Sequence, residues 1–196
     1  MKIGILAFQG AVREHTAALK KCGVDVLEVK SADELQAVDG LILPGGESTT
    51  MRRFIDTCDM LKPLKRFISA DKPVFGTCAG LILLARTLEG CDDNHVGMMD
   101  IVARRNSYGR QINSFEASLE IKDIGSNFPG VFIRAPHIVE IGEGVEVLCR
   151  HENRIVMARQ DSMLACAFHP ELTDDIRVMA YFVKMVRASI IARSKR

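Results

Sequence analysis

Short apolar runs alternate with helix-period segments through the first half of the chain, and that alternation leaves few folds open. Lys2–Phe8, Val24–Val29, Leu41–Leu43 and Val74–Gly76 are too short for helices and too uniformly apolar to keep one face wet. They read as strands covered on both sides. Between them, Val12–Cys22 carries apolar residues at helical spacing and stops at Gly23. Thr49–Ile55, Leu61–Ala70 and Gly80–Leu88 follow as further helices, with Pro73 restarting extended chain. Strand-helix units joined by short connections predict a mainly parallel central sheet with helices on both faces.

Past Gly97 the pattern changes. Ser114–Ile121, Val131–Arg134, Val145–Arg150, Ile155–Gln160 and Met163–Phe168 read as short antiparallel strands, with hairpins at Glu152-Asn153 and Asp161-Ser162. Asp175–Ala192 closes the pattern as an amphipathic helix. No linker or repeat divides the chain, so the expectation is one three-layer domain over residues 1–196.

Composition mainly excludes. At 47% apolar the chain affords a normal core, and 26 Lys+Arg against 25 Asp+Glu give no general pull toward nucleic acid. No apolar run approaches the roughly 18 residues of a membrane span. The N-terminal apolar run breaks at Gln9-Gly10 without a cleavage signature, so a cytoplasmic protein is expected. Six cysteines, none in a CxxC pair, read as reduced thiols, with Cys149 and Cys166 as buried fillers. Neither a metal site nor a cofactor is expected.

The sharpest local signal is Gly76-Thr77-Cys78-Ala79-Gly80, where a buried strand runs into a helix. A tight strand-to-helix turn places residue 78 in a strained conformation and needs glycine on either side for close chain approach. The thiol then stands at a helix N-terminus, which favours the thiolate, and the Ala79 N–H can meet a developing oxyanion. Such a nucleophile needs a base, and the base an orienter. Phe168-His169-Pro170-Glu171 supplies both: in extended chain residues i and i+2 share a face, so Glu171 can reach the His169 imidazole. Of the other histidines, His15 reads as partly exposed, His95 as part of a polar turn with residues 92–94, His137 as a possible pocket residue and His151 as a hairpin residue.

Pro44–Thr50 is a second glycine-bearing loop at a strand's carboxyl end, where α/β sheets place ligands. It lacks the lysine of a phosphate loop. Gly46 is the natural second oxyanion donor, and the Gly45–Gly46 peptide is expected to be movable. Glu47 suits an ammonium group, with Ser48 beside it, while Arg105 and Arg134 suit a carboxylate. Surface salt bridging is the competing reading for either arginine alone.

Residues 7–15 (AFQGAVREH), 44–50 (PGGESTT), 76–80 (GTCAG), 105–111 (RNSYGRQ), 132–137 (FIRAPH) and 168–174 (FHPELTD) together resemble the glutaminase subunits of pyridoxal 5'-phosphate synthase, within the class I (triad) glutamine amidotransferases. The likeness spans the whole chain, with Tyr108 where another aromatic is common. It implies a flavodoxin-like α/β fold and hydrolysis of L-glutamine to L-glutamate and ammonia through a γ-glutamyl thioester. Cys78, His169 and Glu171 match the triad. Gly46 and Ala79 match the oxyanion hole, and Gly46, Glu47, Ser48, Arg105, Asn106, Arg134 and Ala135 the substrate site. The resemblance also implies that the ammonia passes to a synthase partner, with twelve glutaminase chains on a dodecameric core, weak activity until docking, and Gln9 and Gly10 near the docking side. Two rivals remain at this point: another cysteine hydrolase of the superfamily, and a non-catalytic scaffold subunit.

Overall fold

The computed structural model describes residues 1–91, 95–107 and 114–195, so the expected turn at 92–94 and Tyr108–Gln111 of the RNSYGRQ segment lie outside it. The alternating first half folds as β1 (Lys2–Leu6), α1 (Val12–Lys21), β2 (Asp25–Val29), α2 (Ala32–Gln36), β3 (Gly40–Leu43), α3 (Ser48–Thr57), α4 (Leu61–Ser69), β4 (Val74–Thr77) and α5 (Ala79–Leu84). The short helix α2 is the element that hydrophobic periodicity passes over. It is set by a capping box: Ser31 Oγ accepts from the Glu34 N–H, and the Glu34 carboxylate takes the Ser31 N–H at 3.0 Å.

The expected helix Gly80–Leu88 is half a helix. It ends at Leu84, and Ala85–Leu88 becomes strand β5, pairing in parallel with β6 (Met99–Arg104). Leu81 through Leu84 are buried on every side, so the run carries no amphipathic period to mark its length. The remaining strands are β7 (Ser114–Ile121), β8 (Gly125–Ile133), β9 (His137–Ile141), β10 (Glu146–His151), β11 (Arg154–Gln160) and β12 (Met163–Cys166). A 3-10 turn over Pro170–Leu172 and helix α6 (Arg177–Arg193) follow. Glu152 and Asn153, both at positive φ, make the tight turn between β10 and β11.

The sheet runs β2-β1-β3-β4-β12-β11-β9-β6-β5, with β10 on β11, while β7 and β8 form a separate ribbon. From β2 to β12 all neighbours are parallel; beyond β12 the pairs turn antiparallel until β6 and β5. This is a mixed α/β sheet flanked by helices, of the flavodoxin-like kind. The central strands β3, β4 and β12 are buried along their whole length, which explains their unbroken apolar sequence. Helix α6 covers β4 through Phe182 on Phe75, their ring centres 5.5 Å apart.

Candidate active site

Four neighbouring parallel strands, β1, β3, β4 and β12, deliver their carboxyl ends to one edge of the sheet. From those ends come Gln9–Ala11, Gly45–Glu47, Cys78 and His169, around a cleft of about 550 Å³. Open α/β sheets place ligands at this edge because strand ends and helix N-termini converge there.

The elbow is built from two glycines in contact. A Cβ on Gly76 would come within 2.5 Å of the Gly80 backbone, and one on Gly80 would overlap the Leu43 carbonyl. With both absent, α5 packs directly on β4 and β3, and Cys78 takes φ 49° and ψ −100°, outside the ordinary regions for an L residue. Its N–H is fixed by the Cys166 carbonyl at 2.8 Å, so β12 positions the elbow as well as the base.

His169 leaves β12 with its N–H on the Val131 carbonyl at 2.8 Å, and its Nδ1 lies 2.7 Å from Glu171 Oε1. Pro170 starts the 3-10 turn that folds Glu171 back beneath the ring. Burial disfavours the His169 imidazolium. Interaction with the Cys78 sulfur and with Glu171 outweighs this and lifts its pKa from 6.5 to about 10. Burial likewise disfavours the Glu171 carboxylate, yet His15 and His169 hold its pKa below the usual value. An imidazole beside a sulfur, backed by a carboxylate, pairs a nucleophile with its own proton donor.

The structure corrects the reading of His15, which is fully buried rather than partly exposed. Its Nε2 lies 3.0 Å from Thr77 Oγ1 and 3.5 Å from Glu171 Oε1. The signal was present: Val12, His15, Leu19 and Cys22 fall on one helical stripe, but the adjacent Arg13 and Glu14 pull the reading toward the surface. His95 is likewise buried, with Arg105 Nη2 on its Nε2 at 2.8 Å. His137 is buried at the start of β9, and the cleft lining does not include it. His151 stacks on Phe115 and Phe132 beside its hairpin.

The glycine loop is held by the segment after β1. Ala11 N–H donates to the Gly45 carbonyl at 3.0 Å, and Gln9 Oε1 accepts the Glu47 N–H at 2.8 Å. Gly45 lies against the His169 ring, and Gly10, at φ 104°, lies against the Gly45 carbonyl. Gly46, Glu47, Ser48, Ala79, Arg105, Asn106 and Arg134 all line the cleft. Ala135 does not: it is buried behind the wall, where its carbonyl takes the Ser107 N–H at 3.0 Å and ties the two arginine segments together. Glu47 and Arg134 meet across the mouth at 3.3 Å, both largely exposed. So open a pair is weak and can exchange for a ligand's own charges.

A nucleophilic thiol, an imidazole, a carboxylate and a polar cleft on a mixed α/β sheet define an acyl-transfer hydrolase. Residues 5–188 match the SNO glutamine amidotransferase family, and the chain belongs to that family. It is 59% identical over 194 residues to pyridoxal 5'-phosphate synthase subunit PdxT of Geobacillus kaustophilus (strain HTA426), covering 99% of each chain. It is 57% identical to the protein of the same name from Bacillus cereus (strain B4264), covering 95% of each. A crystal structure of a glutamine amidotransferase superposes with a TM-score of 0.90 at 42% identity, over 94% of this chain and 98% of the other. PurLQS from Thermotoga maritima, at 17% identity and a TM-score of 0.67 over 98% of each chain, shares the fold.

Proposed function

We propose that the chain hydrolyses L-glutamine to L-glutamate and ammonia, and that the ammonia passes to a pyridoxal 5'-phosphate synthase partner. The observation that carries this reading is the meeting of Cys78, His169 and Glu171 at the ends of adjacent strands, in a chain 59% identical to a subunit of that synthase.

In the reaction, the Cys78 thiolate attacks the side-chain amide carbon, and the carbonyl π electrons move onto oxygen. The N–H groups of Gly46 and Ala79 receive that oxyanion; one such donor is worth ~3 kcal/mol in the transition state. As the C–N bond breaks, His169 gives its proton to the departing nitrogen, which leaves as ammonia. His169, neutral again and steadied by Glu171, takes a proton from water. The hydroxide attacks the thioester, and its collapse returns glutamate and the thiolate-imidazolium pair. Arg105 and Arg134 suit the α-carboxylate and Glu47 the α-ammonium, with Asn106 and Ser48 completing the polar wall.

Gln9 and Gly10 face the partner in this reading. The Gly45 carbonyl hangs on the Ala11 N–H at 3.0 Å, so a partner pressing on residues 9–11 acts directly on the Gly45–Gly46 peptide that aims the oxyanion donor. Twelve such chains on a dodecameric synthase core is the proposed assembly. Ammonia release from L-glutamine, measured with and without the partner and beside Cys78→Ala, tests the reading. Partner-stimulated release that the substitution abolishes is expected. No release in the assembled complex, with peptides or esters cleaved instead, would replace it with another cysteine hydrolase, and an unreactive Cys78 with a scaffold subunit.

A further inference from the structure

The triad as described leaves a fourth polar side chain unused. His15, on α1, is fully buried, and its imidazole reaches under the site between two segments remote from each other in sequence. One neighbour is Thr77, the residue before the nucleophile on β4; the other is Glu171, in the turn after β12. We propose that His15 is a positioning residue for the reaction: its Nε2–H donates to Thr77 Oγ1 and faces Glu171 Oε1, fixing the carboxylate beneath His169 and tying it to the elbow that carries Cys78.

The tautomer follows from the surroundings. Were the proton on Nδ1, that N–H would be buried with no acceptor, and the Nε2 lone pair would stand 3.5 Å from a carboxylate oxygen. Both features cost free energy in a low-dielectric interior. With the proton on Nε2, the hydroxyl and the carboxylate both see a donor, and only an unprotonated nitrogen is left without a partner. Donation to Thr77 at 3.0 Å is the stronger contact; at 3.5 Å the attraction to Glu171 is electrostatic rather than a full hydrogen bond. Burial keeps His15 neutral, since it holds the pKa below 6.5 against the attraction of Glu171; His169 and the adjacent Glu14 are the other charges acting on the ring. His169 Nδ1 meets the same oxygen, Glu171 Oε1, at 2.7 Å, and burial pushes the pKa of the nearby Cys166 thiol well up, so His15 is the neutral donor that shares this oxygen with His169.

This role rests on the glutaminase reading, so its test has one arm that needs no glutamine. His15→Gln puts an amide N–H near the place of Nε2; His15→Asn puts it near Nδ1, one bond short of Glu171; His15→Leu removes it. In the complex, Leu and Asn are expected to lower kcat by roughly 10- to 100-fold with KM within about twofold, and Gln to recover most of that loss. In the free chain, the pH profile of Cys78 alkylation by iodoacetamide moves to higher pH in Leu and Asn and stays near wild type in Gln, because a misdirected Glu171 no longer supports the imidazolium beside the sulfur. If Leu does not fold, the Gln and Asn pair decides alone. Equal losses in Gln and Asn with unmoved alkylation profiles would mean that His15 only fills space, and the proposal would be wrong. A wild-type complex that releases no ammonia would overturn the glutaminase reading, while the alkylation profiles would still decide the role of His15.

Discussion

Gly45 offers a sharp perturbation of the site, because nothing about the residue is chemical. A methyl group there would overlap His169 Cε1, about 1 Å short of an ordinary contact, and come 3.0 Å from Nδ1 and 3.6 Å from the Cys78 Cβ. Relief requires motion of the loop or of the ring. The loop is held by Ala11 N–H on the Gly45 carbonyl and by Gln9 on the Glu47 N–H, at 3.0 and 2.8 Å. The ring is held by the 2.7 Å contact between Nδ1 and Glu171. The ring is held only through side chains, Glu171 and the Cys78 sulfur, whereas the loop is tied through its own backbone, so the ring yields first. Displacing a catalytic group by about 1 Å costs on the order of 100-fold in rate. Overpacking itself costs about 1–3 kcal/mol of stability, little enough to leave a folded chain. Gly45→Ala in the assembled complex should therefore release ammonia about 100-fold more slowly than wild type, with a modest fall in Tm. A folded variant with kcat within threefold of wild type would refute the claim that Gly45 is kept bare for the imidazole.

Two further outcomes follow from the charges around the triad. Cys78→Ala removes the sulfur that helps lift His169, so its titration midpoint by histidine NMR should fall from about 10 toward 6.5; an unmoved midpoint would place the cause elsewhere. His15 has a folded pKa below 6.5, so the unfolded chain takes up its proton first on acidification. Its stabilising contribution is complete above pH ~6.5 and is lost as the pH falls, and between pH 7 and 5 the Tm of His15→Gln should decline less steeply than that of wild type. Parallel curves would contradict this.

The elements that carry chemistry were largely legible in sequence, for local reasons. Gly76 answers to the Gly80 backbone four residues on, although Gly80 itself answers to Leu43, and the His169–Glu171 pairing that alternation in extended chain predicts is made instead by the 3-10 turn that starts at Pro170. What escaped were features decided by distant chain. Whether Ala85–Leu88 continues a helix or pairs with β6 depends on a neighbour that the apolar run does not announce. The burial of His15 depends on Thr77 and Glu171, 62 and 156 positions away. The resemblance implies Ala135 for the substrate site beside Arg134, but Ala135 is buried and does not line the cleft that Arg134 lines. The missed helix α2 is different in kind: its Ser31–Glu34 capping signature was readable and carried no weight beside hydrophobic spacing.

The order of strands across the sheet bears on how the chain is made. β12 is the last strand in sequence, yet it occupies the middle, bonded to β4 on one side and β11 on the other. Until Met163–Cys166 has left the ribosome, β4 exposes an open edge and Cys78 has neither the Cys166 carbonyl that fixes its backbone nor the imidazole that follows. A nascent or prematurely terminated chain therefore displays a thiol with no proton partner, and the capacity to consume substrate arrives only with the strand that closes the sheet.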